Sequence, residues 1–290
     1  MNEFNITVDT LNKKNDCFVR YLFSNLGNEK IVLNFVNAVM ANLNFKTFET
    51  LEILNPFNLQ KYLNSKESVV DIKCTSDTGE VVIIEIQLQG NSRFPERILY
   101  YWASNYNKLL KHGERYDALT PVISINLLNF NLDDNDSIHS CYMIYDTNNK
   151  RLLTDHLQIH ILELKKFKYD LLQPDLNCWL KFFTMKEKNN KEEIMSELVK
   201  EKPIMEEVQK RYNNFIKDRL MMNEYDKRQA YLYGNQIMLE EERRLGREEG
   251  IKEGIKENQI SMAKNMKKDN IDFNTISKYT GLSIEEIEKL

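Results

Sequence analysis

The chain has 290 residues, a formal charge of -4 and an isoelectric point near 5.8. That is long enough for one full core and a smaller second unit, and it excludes a protein that meets nucleic acid through overall basic charge. Its four cysteines, Cys17, Cys74, Cys141 and Cys178, lie far apart without CxxC spacing, so they read as buried free thiols in a reducing compartment, not as a zinc frame or a disulfide scaffold.

The first residues, Met1-Asn2-Glu3-Phe4-Asn5, lack the charged and apolar regions of a signal peptide, and no apolar run approaches the ~20 residues of a membrane span. A soluble, cytoplasmic protein with no membrane partner is expected. Asp16 to Phe23 and Glu29 to Leu43 carry helical periodicity, with Phe18, Leu22, Ile31, Phe35 and Val39 in the apolar stripe. Leu51 to Leu54 reads as a short strand ended by the turn signal Asn55-Pro56.

The next segment, Val69 to Gln89, carries the chemistry. Asp71 interrupts one apolar strand and Glu85-Ile86-Gln87 interrupts the following one, although an unpaired buried carboxylate costs several kcal/mol. Between them lies Ser76-Asp77-Thr78-Gly79-Glu80, where Gly79 suits the left-handed position of a three-residue hairpin loop. With Ser76 facing Glu80, Asp71 lies directly across from Glu85, their Cβ atoms roughly 4.5–5.5 Å apart. A two-residue loop at Thr78-Gly79 would put Ile86 there instead. Like charges placed opposite each other repel unless a cation sits between them, and a hard divalent ion accepts one or two carboxylates with water and phosphate oxygens completing its shell. On the second strand Val82, Ile84, Ile86 and Leu88 form one face, while Val81, Ile83, Glu85, Gln87 and Gln89 form another that runs from apolar to polar.

Asn91-Ser92 then looks like the cap of a helix from about Arg93 to His112. Pro121 to Asn126, Ser140 to Tyr145 and His156 to Leu164 read as three more strands, so the pattern is α/β, a mixed sheet with helices on its faces. After Pro174 the chain is charged, Met-rich and helical by propensity. Composition divides it into 1–186, a charged helical connector over 187–258 and a small unit over 259–290. The connector holds Gly246, Gly250 and Gly254 on one helical face. The last unit places Thr280-Gly281-Leu282 between two short helices, with Ser283 and Glu286 as a capping box, and resembles a helix-turn-helix. Its second helix opens with Glu285, Glu286 and Glu288, which argues against a DNA groove and for packing or partner binding.

Asp71-Ile-Lys, Val81-Val-Ile-Ile-Glu85-Ile-Gln87-Leu-Gln89, Arg97-Ile-Leu-Tyr100-Tyr101-Trp102 and Pro121-Val-Ile-Ser-Ile-Asn126 resemble the Rpn family of recombination-promoting nucleases and transposases, within the PD-(D/E)XK nuclease superfamily. The helix Asp16-Cys-Phe18-Val-Arg-Tyr-Leu-Phe23 and the tail with spaced glycines before Thr280-Gly281-Leu282-Ser283 extend the resemblance over nearly the whole chain. It implies a restriction-endonuclease-like core and a metal-dependent DNA endonuclease, with Asp71 and Glu85 holding a divalent ion, Mg2+ before Mn2+ or Ca2+. Two positions depart from the superfamily pattern: Gln87 stands where it has lysine, and Val19 where the opening helix often has lysine.

The Gln87 amide can hold a water but cannot neutralise the charge that grows on phosphorus. Either the metal carries that burden or another cation enters. Lys73 shares the face of Asp71, and Arg97 lies on the following helix with Tyr101 and Lys108 at helical spacing; these four are the candidate DNA contacts, with Arg97 preferred as the phosphate clamp. Glu67, across from Gln89 in the same pairing, and Asp16 are candidate accessory acids. Two rival readings keep other parts of the pattern: a catalytically weak, nuclease-like DNA-binding protein, and a helical assembly protein that forms homo-oligomers through its C-terminal region.

Overall fold

The computed structural model describes residues 11–56, 72–90, 93–168, 172–185 and 191–290, without the side chains of residues 191–193. Asn15 caps helix α1 (Asp16–Ser24) by accepting a hydrogen bond from the Cys17 N–H at 2.9 Å. This helix and α2 (Glu29–Asn42) bury the stripe expected of them, Phe18, Leu22, Ile31, Phe35 and Val39 among it. Strands β1 (Leu51–Ile53), β2 (Ile72–Ser76) and β3 (Val81–Gln87) follow, then helix α3 (Phe94–Asn107). A 3-10 turn at Tyr116–Ala118 leads into β4 (Val122–Leu128), β5 (His139–Tyr145) and β6 (Leu152–Glu163). Helices α4 (Pro174–Thr184), α5 (Lys191–Glu201), α6 (Ile204–Lys217), α7 (Arg219–Lys268), α8 (Phe273–Thr280) and α9 (Ile284–Glu288) complete the described elements.

The strands form a six-stranded sheet in the order β1-β2-β3-β4-β6-β5. β3, β4 and β6 are parallel, and the flanking pairs are antiparallel, which is the mixed α/β sheet expected. Because side chains alternate along a strand, the sheet has two distinct faces. Ile72, Cys74, Val82, Ile84, Ile86, Ile123, Ile125 and Leu127 join the larger core with α1, α2, α4, α5 and α6. Val81, Ile83, Val122, Ile159 and Ile161 pack against Phe94, Ile98 and Trp102 of α3, which crosses from β3 to β4. Trp102 is held in that layer by its Nε1–H, which donates to the Val122 carbonyl at 2.8 Å.

Burial overrides composition after residue 186. Met195 and Leu198 of α5 and Met205, Val208, Tyr212 and Phe215 of α6 belong to the larger core, with Phe215 edge-on to Phe18 at 5.2 Å. Their charged residues are the outer faces of amphipathic helices. The chain divides into compact units at Arg228, the second being Gln229–Leu290. In that second unit Ala263, Ile276, Leu282 and Ile287 form a small core. Gly281 ends α8 in the left-handed conformation at φ 74°, and Ser283 and Glu286 make both bonds of the capping box. Lys267 Nζ donates to the carbonyls of Ile287 and Glu288, each at 3.0 Å, placing a cation at the negative end of α9. Gly246, Gly250 and Gly254 lie within α7, and a Cβ added at any of them meets nothing within 4 Å.

A chain of polar side chains is buried where β5 meets β6. The Gln173 N–H donates to Asn42 Oδ1 at 2.9 Å, so the Asn42 amide nitrogen must face His139 and donate to its Nδ1, also at 2.9 Å. His139 then carries its proton on Nε2 and donates to His160 Nδ1 at 3.0 Å. His160 Nε2–H is left to point at Cys141 Sγ, 3.7 Å away. One amide orientation therefore sets both tautomers. Burial holds both rings neutral, His139 down to about 4 and His160 to about 3, the latter lowered further by His139. The thiols of Cys74, Cys141 and Cys178 are pushed up to about 12 by burial, in keeping with unreactive free cysteines.

Candidate active site

The β2–β3 turn has the three-residue form. Gly79 adopts φ 92°, its N–H donates to the Ser76 carbonyl at 3.1 Å, and the Ser76 N–H donates to Glu80 at 2.9 Å. Ser76 Oγ also accepts from the N–H groups of Thr78 and Glu80. The Asp77 carboxylate accepts from the N–H groups of Glu49 and Thr50 and ties the turn to the chain before β1. Those hydrogen bonds, that from Thr50 first, hold Asp77 below the usual carboxylate range. The ladder that follows pairs Thr75 with Val81, Cys74 with Val82, Lys73 with Ile83 and Ile72 with Ile84. This is the register expected from Gly79, and the two-residue alternative is excluded. Asp71 and Glu67 lie outside the described residues, as does the Asn91-Ser92 cap.

Glu85 is 7% exposed, near the carboxyl end of a strand whose other residues are apolar up to Gln87. Its Oε1 accepts a hydrogen bond from the Gln87 amide nitrogen, which shares its face. Arg97 of α3 brings Nη2 to 3.9 Å from the same oxygen. Among the described residues no group of three His, Cys, Asp or Glu side chains could hold a metal. The donors gathered here are hard oxygens, which suit a divalent ion that keeps most of its shell for water and phosphate, and exclude a soft thiolate or imidazole site.

The remaining sequence candidates divide in two. Lys73 pairs with Ile83, two residues before Glu85 and on the same face; it is half-buried, with its ammonium pKa lowered by burial and then by the charge of Lys108. Lys108 is the exposed C-cap of α3, and Tyr101 is exposed on that helix beside Tyr100. Glu85, Arg97, Lys73 and Lys108 thus gather on the α3 side of the sheet. Asp16 does not join them: α1 packs on the other face, and Arg228 Nε donates to the Asp16 carboxylate at 2.7 Å. Gln89 is half-buried just beyond the end of β3.

Asn126 is a residue that the strand pattern concealed. It pairs with Glu85 across the parallel β3–β4 ladder and is fully buried. Its Nδ2 donates to Ser124 Oγ at 3.0 Å and to the His160 carbonyl at 3.2 Å, while its Oδ1 makes no hydrogen bond among the described residues. The signal was a lone amide within an apolar strand. Lys14, ahead of α1, reaches Asn129 Oδ1 at 2.7 Å, and the Asn129 N–H donates to the Gln87 carbonyl at 2.9 Å. Contacts of that kind, between a loop before α1 and the end of β4, leave no trace in sequence spacing.

Comparison with curated proteins and with solved structures returns no match. A family model described as PD-(D/E)XK nuclease family transposase matches residues 13–242, which takes in the whole sheet and every helix packed on it. With the mixed sheet, the three-residue turn and the buried acid of β3 in place, the chain belongs to the PD-(D/E)XK nuclease family of transposases.

Proposed function

We propose that this protein is a metal-dependent endonuclease that hydrolyses DNA phosphodiester bonds in recombination or in the movement of mobile elements, acting in the cytoplasm. The observation that carries this reading is the β2–β3 register beside the buried Glu85. In this reading the ladder continues by one pair, Asp71 with Glu85, and the two carboxylates hold a divalent ion, Mg2+ first and Mn2+ or Ca2+ as alternatives. A bound ion of this type lowers the pKa of a water and stabilises negative charge on phosphate oxygens. The protein supplies the rest. Gln87 orients the attacking water through its amide, and Lys73, Lys108 and Tyr101 on the α3 side contact the DNA backbone. Glu67 and Gln89 serve in this reading as accessory groups.

A nicking assay on supercoiled plasmid with Mg2+, Mn2+ or Ca2+ tests the reading. Asp71→Ala and Glu85→Ala are expected to lose activity by on the order of 100-fold or more, since even partners behind the metal ligands cost 10–100-fold. Equal nicking by wild type and Asp71→Ala would overturn it. The neutral amide at Gln87 favours one second reading, a nuclease-like DNA-binding protein of weak activity. Plasmid retained in a gel shift by a protein that stays uncut, and that Gln87→Lys turns into a nuclease, would decide for it.

A further inference from the structure

We propose that Arg97 is a catalytic residue, whose guanidinium edge takes two oxygens of the scissile phosphate and carries the positive charge that Gln87 lacks. This rests on the nuclease reading above and goes beyond it in assigning the transition-state charge to one side chain. The fork is built from the sequence upward. The chain passes over Phe130 at Gly90, where a Cβ would lie 2.7 Å from a ring carbon. Phe130 meets the fully buried Phe94 edge-on, with ring centroids 5.3 Å apart at 82°. Over the Phe94 ring lies the Arg97 guanidinium carbon, 5.3 Å from its centroid. An arginine stacked on an aromatic ring loses little further freedom when it binds an anion.

One edge of that guanidinium is without a hydrogen-bond acceptor among the described residues: Nε and Nη2, the two nitrogens whose N–H bonds lie parallel, are buried and make no hydrogen bond there. The nearby Glu85 Oε1 stands 3.9 Å from Nη2, beyond hydrogen-bonding distance. That oxygen already accepts from the Gln87 amide. The Nε and Nη2 edge thus keeps its hydrogen-bonding capacity for another acceptor. A tetrahedral phosphate offers two oxygens at the spacing of the two parallel donors.

In the reaction the water oxygen forms a bond to phosphorus while the bond from phosphorus to the leaving sugar oxygen breaks. The water gives up one proton, the leaving oxygen gains one, and the products are a phosphomonoester and a free hydroxyl. Negative charge on the two non-bridging oxygens peaks between those events, and the Arg97 N–H groups stabilise it there.

The test uses the full chain in single-turnover plasmid nicking at saturating protein, with DNA binding measured separately in Ca2+. Arg97→Gln is expected to slow cleavage of bound DNA about 100-fold, with affinity changed less than about threefold because one phosphate contact is a small share of DNA binding. Arg97→Lys keeps the charge but not the parallel pair, and stays about tenfold or more below wild type. Gln87→Lys in the Arg97→Gln background regains about tenfold or more by returning a cation to the site, which a merely misfolded variant would not do. In metal-free wild type the Arg97 Nε–H resonance, assigned by its loss in Arg97→Lys, shifts on titration with inorganic phosphate. Arg97→Gln cutting at the wild-type rate while Glu85→Ala is inactive would overturn the role of Arg97 and leave the nuclease reading standing. Glu85→Ala cutting at the wild-type rate would overturn that reading instead.

Discussion

At Gly90 the backbone runs so close to Phe130 that no larger residue fits without moving the ring, since a Cβ would meet three of its carbons at 2.7–3.0 Å. The ring packs edge-on against the buried Phe94. Overpacking of this kind costs about 1–3 kcal/mol, so Gly90→Ala should lower the melting temperature of the sheet unit by several degrees, at roughly 2–4 °C per kcal/mol. Phe130→Leu combined with Gly90→Ala should recover part of that loss, as measured by a double-mutant cycle in thermal unfolding. Additive losses would show that the contact between the two is not the cause. Gln87 belongs to the same scale. Its amide is neutral and bonds to Glu85 Oε1, the oxygen that lies 3.9 Å from Arg97 Nη2.

β5 and β6 carry their own pH response. His139 and His160 are buried with folded pKa values of about 4 and about 3, below the ~6.5 of an unfolded histidine. As pH falls below that unfolded value, the unfolded chain takes up protons that the folded chain refuses. The stability contributed by the neutral pair is thus complete above about pH 6.5 and is lost progressively toward pH 3. Asn42, Cys141 and the Phe45 ring touch the pair, and burial is the first cause of both shifts. The urea midpoint should fall from pH 7.5 to pH 5, and the double variant His139→Gln, His160→Gln should show a flatter dependence over that window. Equal slopes would mean that the pair titrates near its ordinary value. The hairpin is the other element that sets the chemistry, because a slip of one residue between β2 and β3 would turn every β2 side chain to the opposite face. Gly79 in the left-handed conformation prevents that slip.

Over the whole molecule, the sheet carries a large core with α1, α2 and α4 to α6 on one face and a smaller one with α3 on the other, whereas the unit from Gln229 onward has four buried apolar residues of its own. Helix α7 exposes Tyr231, Tyr233, Ile237, Met238, Leu245, Ile251 and Ile255 along its length, more apolar surface than a solvated helix needs. Such a surface is what the rival reading of the sequence, assembly through the C-terminal region, would use. A protein ending at Arg228 should remain cooperatively folded, keep its nicking activity and lose self-association in sedimentation. Unchanged mass in solution would end the assembly role, and loss of folded signal by circular dichroism would show that the sheet unit depends on the tail.

How far the sequence could be read followed from the range of the interactions. The β2–β3 register was legible because a glycine with positive φ fixes a local turn, and the turn dictates the pairing of both strands. The strands, α1, α2 and the Ser283–Glu286 capping box were legible for the same reason: periodicity and caps act within a few residues. Composition did not reveal that α5 and α6 join the larger core, because an amphipathic helix reads as charged until its partner is known. It could not show that Asp16 pairs with Arg228, that Lys14 reaches Asn129, or that one asparagine amide sets two histidine tautomers, since these contacts join residues distant in the chain. By itself the sequence determined the family, the sheet and the acid on β3, because those rest on local pattern. Only the tertiary structure decided which cation stands beside that acid. The placement of Arg97 depends on two phenylalanine rings and one glycine brought together by the crossover of α3 from β3 to β4.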